Sequence, residues 1–219
     1  MDSVANLPDS QRSELFLESA NLMGVRAAIV EKDFWVVWVL DKIFSDNKLS
    51  KILMFKGGTS LSKVFNLIGR FSEDIDLILD WREVTKEDPQ IERGSKNRQD
   101  KFNKQINKEA VVYIKNILLP TVSKIVSPLC HCEIDANNQY NIKITYPSAF
   151  KDGYLRSEIL LEIGPLASWL PSDSFEIEPY ASKYFPSVLK EQNARLMQLR
   201  LKELFGRRQL FCIRKQIEN

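Results

Sequence analysis

The 219 residues are 44% hydrophobic, which is enough apolar material for one folded domain with an appendage. A net charge of +2 places the chain in neither a strongly basic nor a strongly acidic class. No apolar run approaches a membrane span, the first residues lack a signal-peptide pattern, and three cysteines without metal-ligand spacing fit a reducing cytosol, so the sequence predicts a cytoplasmic protein without a membrane partner.

Helices are expected over the N-terminal 48 residues. Asp9 or Ser10 can cap a first helix, and a second helix with a broad apolar face is predicted from residue 27 to residue 44. Within the second helix, Glu31 and Lys32 belong either to a solvated face or to a substrate cleft, and the sequence favours neither interpretation.

A glycine turn is predicted after a short apolar run. The run, residues 52–55, fits a buried strand. Gly57 and Gly58 let the backbone turn sharply and come close to a ligand. Thr59 or Ser60 can then cap a short helix, and the free N–H groups at its start suit a phosphate.

A second strand is predicted at residues 74–79. Its period of two puts Asp74, Asp76 and Ile78 on one face and apolar side chains on the other. Two neighbouring carboxylates on one face form a clamp for a hard divalent cation, and Mg²⁺ held there would stabilise charge that develops during phosphoryl transfer. The alternative is a solvated strand face with two acids, which the glycine turn just upstream disfavours.

A helix is expected at residues 97–119, ended by Pro120. Four of its basic residues recur at spacings of three or four and form one stripe. They are Arg98, Lys101, Lys104 and Lys108. The stripe would suit an RNA backbone, but it is equally typical of a solvated helix face.

Three further strands are predicted at residues 132–135, 141–146 and 157–163, the first two as a hairpin. The third presents Glu162 within an apolar run, where a carboxylate is costly unless it is paired or binds metal. Residues 165–186 contain three prolines and are expected to be irregular.

Residues 55–63 (Phe-Lys-Gly-Gly-Thr-Ser-Leu-Ser-Lys) and 70–77 (Arg-Phe-Ser-Glu-Asp-Ile-Asp-Leu) resemble the AbiEii/AbiGii toxin family. These DNA-polymerase-β-like nucleotidyltransferases occur in bacterial type IV toxin–antitoxin and phage-defence systems. The resemblance is long and specific to about residue 165. It implies an α/β (α+β) fold, a mixed sheet flanked by helices. It also implies NMP transfer from an NTP, with Mg²⁺ or Mn²⁺, to an RNA (tRNA) or protein acceptor, and a cognate antitoxin.

The resemblance also assigns roles to residues. In the family a third carboxylate comes from a later strand of the form apolar-apolar-Glu-apolar, which Glu162 matches as metal ligand or as base. The implied catalytic and metal-binding residues are therefore Asp74, Asp76 and Glu162. The implied nucleotide-binding residues are Lys56, Gly57, Gly58, Thr59, Ser60, Lys63, Arg70 and Ser72.

The tail departs from the family, and the resemblance is expected to stop near Gln198. The family has here a helix opened by a Thr-Phe-Trp-Glu-Lys-like run whose Lys lies near the nucleotide. Residues 202–218 can be encoded by codons that give Arg-Thr-Phe-Trp-Glu-Lys when read one base earlier, so the sequence predicts a frameshifted tail and a longer original product. An amphipathic helix that includes Leu196 and Leu199 is expected to end near Gly206, and apolar surface left exposed would favour self-association.

The predicted organisation has four parts. They are N-terminal helices packed on the core (1–48), a nucleotidyltransferase core (49–165), an irregular or helical extension (166–200) and an aberrant tail (201–219). The leading function is a Mg-dependent nucleotidyltransferase. The alternatives are a catalytically silent remnant that binds nucleotide or antitoxin, and a gene product without a present role.

Overall fold

A computed structural model describes residues 1–57, 74–151, 153, 155–166, 172–189 and 194–199. The helices are α1 (Asp2–Ala5), α2 (Asp9–Met23), α3 (Ala27–Ser45), α4 (Leu49–Ile52), α5 (Lys96–Tyr113), α6 (Leu119–Val126) and α7 (Pro186–Leu189). The strands are β1 (Leu53–Lys56), β2 (Asp74–Leu79), β3 (His131–Ile134), β4 (Asn141–Thr145), β5 (Glu158–Gly164), β6 (Ser172–Ile177) and β7 (Ala194–Leu199). Within this part of the chain, no helix combines the length and apolar character needed to cross a bilayer.

The described strands form one sheet in the order β3-β4-β5-β2-β1-β7-β6. The sheet is mixed, because β2 runs parallel to β5 and β1 runs parallel to β7 while the other neighbours are antiparallel. A mixed sheet flanked by helices is the architecture that the sequence predicted. The two strands predicted to carry carboxylates, β2 and β5, lie side by side in its centre.

One face of the sheet belongs to the hydrophobic core. Ile75 and Leu77 of β2 and Leu161 of β5 are fully buried there, together with Phe34 and Trp35 of α3. Because side chains alternate along a strand, the residues between them point to the opposite face. The core thus fixes β2 and β5 from one side and leaves their polar side chains on the other.

The N-terminal helices are present as predicted, but the cap of α2 differs. Pro8 occupies the position before the helix, and no side chain caps it. Asp9 is the first helical residue and instead forms an ion pair with Arg12 one turn later. Asp9 therefore stabilises the helix from within the first turn, where negative charge is favourable, and its side chain does not accept a hydrogen bond from a free N–H group.

Pro120 does not end the helix that was predicted at residues 97–119. A π-helical segment at Ile114–Leu118 follows α5, and Pro120 lies in the first turn of α6. Proline is tolerated at this place because N–H groups of a first turn have no partner within their own helix. The sequence pattern predicted the helix but not the change of helical type that accommodates the proline.

The expected irregular segment after residue 165 was wrong for Ser172–Ile177, which is strand β6. The expected helix through Leu196 and Leu199 was also wrong, because both residues lie in strand β7. Residues 194–199 have good helix propensity, but β7 pairs with β1 on one side and β6 on the other. Tertiary pairing overrides a weak local preference. The predicted helix end near Gly206 and the frameshifted tail lie outside the described residues.

Candidate functional site

Strand register brings the predicted carboxylates together. Asp76 of β2 lies directly between Lys56 of β1 and Glu162 of β5, because both are its register partners. Asp74 is two residues earlier on the same face and lies opposite Leu160. All four polar residues are partly buried on the face opposite the hydrophobic core.

The backbone of Gly57 lies against the Asp76 carboxylate. Gly57 has a φ of 82°, in the left-handed region that side chains disfavour. A Cβ atom built on Gly57 would lie 1.8 Å from Oδ2 of Asp76 and 2.4 Å from its Cγ. Only glycine fits this turn, as the sequence argument expected of a backbone that must come close to another group.

Several predicted nucleotide-binding residues lie outside the described part of the chain. They are Gly58, Thr59, Ser60, Lys63, Arg70 and Ser72. The two predicted nucleotide-binding residues that the structure describes, Lys56 and Gly57, lie next to Asp76. Gly57, the described half of the glycine turn, therefore lies beside the Asp76 carboxylate.

A cleft of about 520 Å³ opens beside two of these carboxylates, and we call it the carboxylate cleft. Its lining residues are Asp74, Asp135, Asn137, Asn141, Lys143, Arg156, Glu158, Leu160 and Glu162. Sequence reasoning did not find the contribution of the β3–β4 hairpin. The signal was present in the alternation of β4, where Asn141 and Lys143 alternate with buried isoleucines, but its register against β5 could not be read from sequence.

The carboxylates share one electrostatic environment. Burial raises the pKa of the Glu162 carboxyl, and the negative charges of Asp76 and Asp74 raise it further. Lys56 and a hydrogen bond with Asn141 act in the opposite direction. A carboxylate with a raised pKa accepts a proton more readily, which suits a general base.

The arrangement can be tested for its fit to a divalent metal. Among the described residues, no three His, Cys, Asp or Glu side chains form a group that could hold a metal ion. Mg²⁺ is often bound by one or two carboxylates together with substrate phosphates, however, and Asp74 and Asp76 supply two oxygen donors on one strand face. The aspartate pair fits such an ion, whereas Glu162 fits the role of base better than that of third ligand.

The basic stripe on α5 is exposed at all four positions. None of its residues lines the carboxylate cleft. Exposure agrees with both interpretations offered by the sequence, an RNA contact and a solvated helix face.

Replacement of Glu162 by glutamine should stabilise the protein at neutral pH. Because its pKa is raised in the folded state, the folded chain binds the proton more tightly, and stability falls as pH rises through the folded pKa. Glu162→Gln should raise the melting temperature by about 1–2 °C at pH near 7, and the difference should vanish at pH near 3, where the carboxyl is protonated in both states. Thermal unfolding across this pH range measures it.

Glu133 provides a control whose pKa is shifted in the opposite direction. A hydrogen bond from Lys143 lowers the pKa of Glu133, so Glu133→Gln should not stabilise the protein at neutral pH. Equal melting temperatures of wild type and Glu162→Gln at every pH would show that folding does not raise the pKa of Glu162.

Comparison with known families agrees with this geometry. A family model described as nucleotidyl transferase AbiEii toxin, type IV toxin–antitoxin system, matches residues 38–205. The match covers more than three quarters of the chain, includes both carboxylate-bearing strands, and continues past Gln198, where the resemblance was expected to stop. No curated protein matches the chain.

Proposed function

The chain belongs to the AbiEii family of nucleotidyltransferase toxins, and from this premise we propose that it transfers NMP from an NTP to an acceptor hydroxyl, with tRNA as the first candidate acceptor and a protein as the second. The observation that supports this most directly is the register of Asp76 between Lys56 and Glu162, with Gly57 packed against it. It joins a phosphate-binding turn to a carboxylate centre.

We propose that Asp74 and Asp76 hold Mg²⁺ or Mn²⁺, and that Glu162 accepts the proton of the attacking hydroxyl. The acceptor oxygen forms a bond to the α-phosphorus, the bond from that phosphorus to pyrophosphate breaks, and the proton passes to the Glu162 carboxylate. The raised pKa of Glu162 supports its role as base. A bound metal ion would supply positive charge near the phosphates.

The nucleotide phosphates are proposed to lie at the glycine turn. Lys56 supplies positive charge beside Asp76, and Gly57 permits the close approach of backbone. The other proposed contacts of the nucleotide come from Gly58, Thr59, Ser60, Lys63, Arg70 and Ser72.

The type IV toxin–antitoxin family implies an antitoxin partner. We further propose that the protein acts in the cytoplasm, where NTPs and tRNA occur. Self-association remains a prediction from the sequence of the tail.

The test is transfer of label from each α-labelled NTP to total tRNA in the presence of Mg²⁺. Asp76→Asn should lower the rate about 100-fold, because an amide removes the negative charge that the metal requires. Asp80→Asn is the matched control, since Asp80 directly follows β2 but its carboxylate accepts hydrogen bonds from Arg82, and it is the register partner of neither Lys56 nor Glu162. Equal labelling by wild type and Asp76→Asn would exclude this site. Calorimetric binding of GTP without turnover would favour the silent binding role.

Added Mg²⁺ should stabilise the folded protein, because the folded site binds the ion and the unfolded chain does not. At a metal concentration about 100-fold above its Kd, the melting temperature should rise by about 7 °C. Asp74→Asn should abolish this rise, and it should slightly stabilise the metal-free protein because the charge of Asp74 acts on Glu162.

Differential scanning fluorimetry with and without Mg²⁺ measures the shift. Asp135→Asn is the control, because Asp135 lines the same cleft from the hairpin. A metal-induced shift that persists unchanged in Asp74→Asn would place the metal elsewhere.

A further inference from the structure

Three consecutive charged residues in the middle of α3 are buried. Glu31 and Lys32 are each 1% exposed and Asp33 is fully buried. Buried charges are costly unless hydrogen bonds compensate for lost hydration. The interpretation of Glu31 and Lys32 as a solvated face was therefore wrong, and each residue requires a partner.

Two of these residues bind the same remote segment. The Glu31 carboxylate accepts hydrogen bonds from the backbone N–H groups of Ala149 (2.8 Å) and Phe150 (3.1 Å) and from the Ser148 hydroxyl (3.1 Å). Nζ of Lys32 donates to the backbone carbonyl of Arg156 at 3.0 Å. Adjacent residues of one helix thus hold both ends of one loop.

That loop is the β4–β5 connector, residues 146–157. It joins two neighbouring antiparallel strands, for which two to five residues usually suffice, and it is twelve residues long. Lys32 fixes its backbone two residues before β5 begins at Glu158. The same strand carries Glu162. The hydrogen bonds of Glu31 and Lys32 therefore determine where the end of the connector lies relative to the carboxylate cleft.

Arg156 is exposed and lines the carboxylate cleft. Lys143 is also cationic among the described residues of this lining, and it is ion-paired with Glu133. A phosphate that enters a cleft rich in carboxylates requires a compensating cation, and the planar guanidinium of arginine matches phosphate oxygens in pairs. A guanidinium on a fixed backbone loses less freedom when it binds.

We infer that Glu31 and Lys32 are positioning residues that hold the connector so that Arg156 binds a phosphate group of the substrate in the carboxylate cleft. This inference rests on the proposed function, which assigns the cleft to nucleotidyl transfer. The phosphate belongs either to the nucleotide or to the backbone of an RNA acceptor.

Calorimetric binding of GTP and of a short single-stranded RNA, each at fixed Mg²⁺ and salt, separates these two sources. Arg156→Ala should lower the binding affinity for one or both ligands about tenfold, and Lys32→Met should lower the affinity for the same ligand. Because Lys32 acts through Arg156, the double variant should bind no more weakly than Arg156→Ala alone. Lys32→Arg, which keeps a donor, should restore most of the affinity.

Asp33→Asn is the matched control. Asp33 is buried on the same helix and accepts a hydrogen bond from the N–H of Tyr180 at 2.7 Å, a residue that does not line the cleft. Asp33→Asn should lower the melting temperature and leave the affinities for GTP and for RNA unchanged. Glu31→Gln, which keeps an acceptor oxygen, provides a milder variant should Lys32→Met fold poorly.

The inference is overturned if Arg156→Ala binds both ligands as the wild type does, or if the wild type binds neither. It is equally overturned if losses from Lys32→Met and Arg156→Ala multiply in the double variant, or if Asp33→Asn weakens binding as much as Lys32→Met. These binding measurements need no turnover, so failure of the proposed reaction would appear separately, in the labelling assay with Asp76→Asn.

Discussion

Gly57→Ala should lower nucleotidyl transfer at least about 100-fold and cost about 2 kcal/mol of stability. The added Cβ would lie 1.8 Å from Oδ2 of Asp76, so the carboxylate must leave its place. The φ of 82° adds backbone strain that glycine avoids. The variant should also lose the Mg²⁺-induced rise in melting temperature, because the proposed metal ligand is displaced.

Gly24→Ala separates strain from displacement. Gly24 has a φ of 68°, in the same left-handed region, and a Cβ there meets nothing within 4 Å. It should lose about 1 kcal/mol in thermal or denaturant unfolding and keep full transferase activity. Should Gly57→Ala retain activity and the metal response, the close approach of Gly57 to Asp76 would have no functional role.

Arg12→Ala should destabilise the protein by about 3 kcal/mol, which lowers the melting temperature by about 8 °C. The Arg12 side chain is 3% exposed. It donates to the carbonyl oxygens of Leu7 (2.9 Å) and Ala5 (3.2 Å), and its guanidinium lies 5.4 Å from the ring centroid of Trp35. Truncation would leave buried carbonyl oxygens without these donors and a void beside the indole.

Arg82→Ala is the matched control, because Arg82 also pairs with an aspartate and also lies over a tryptophan. Its side chain is 55% exposed, it contacts Asp80 at 2.8 Å, and it lies 4.9 Å from the ring centroid of Trp81. Exposed pairs contribute little, so the loss should be at most about 0.5 kcal/mol. Similar melting temperatures of the two variants would show that burial of Arg12 does not stabilise the N-terminal helices.

The sequence predicted the carboxylate strands well because alternation along a strand determines which side chains share a face. Asp74 and Asp76 lie on the face opposite Ile75 and Leu77, and Glu162 alternates with buried Leu161 in the same way. Alternation carries no information about register, however. That Asp76 lies opposite Glu162, rather than one pair further along, is decided by the pairing of β2 with a strand that comes more than 80 residues later.

Sequence reasoning failed where a residue's partner lies far along the chain. Glu31 and Lys32 are charged residues in a helix, and such residues are usually exposed. Their burial becomes favourable only through hydrogen bonds to a connector more than 110 residues later, which no local pattern reveals. The position of Arg156 just before the third predicted strand indicates either a phosphate contact or a pair with Glu158. The hydrogen bond by which α3 holds the connector at Arg156 could not be read from the sequence.

The position of β7 beside β1 has a consequence for how the chain folds during synthesis. β1 pairs with β2 on one edge, but its other edge receives β7, which is made only when residues 194–199 emerge. At roughly 5–20 residues per second, a ribosome needs on the order of 10 s to add the intervening chain. Until then the nascent sheet exposes an unpaired strand edge next to Lys56, a surface on which other extended chains can pair. Long-range pairing of this kind also slows folding, so early folding of the toxin should depend on what covers that edge.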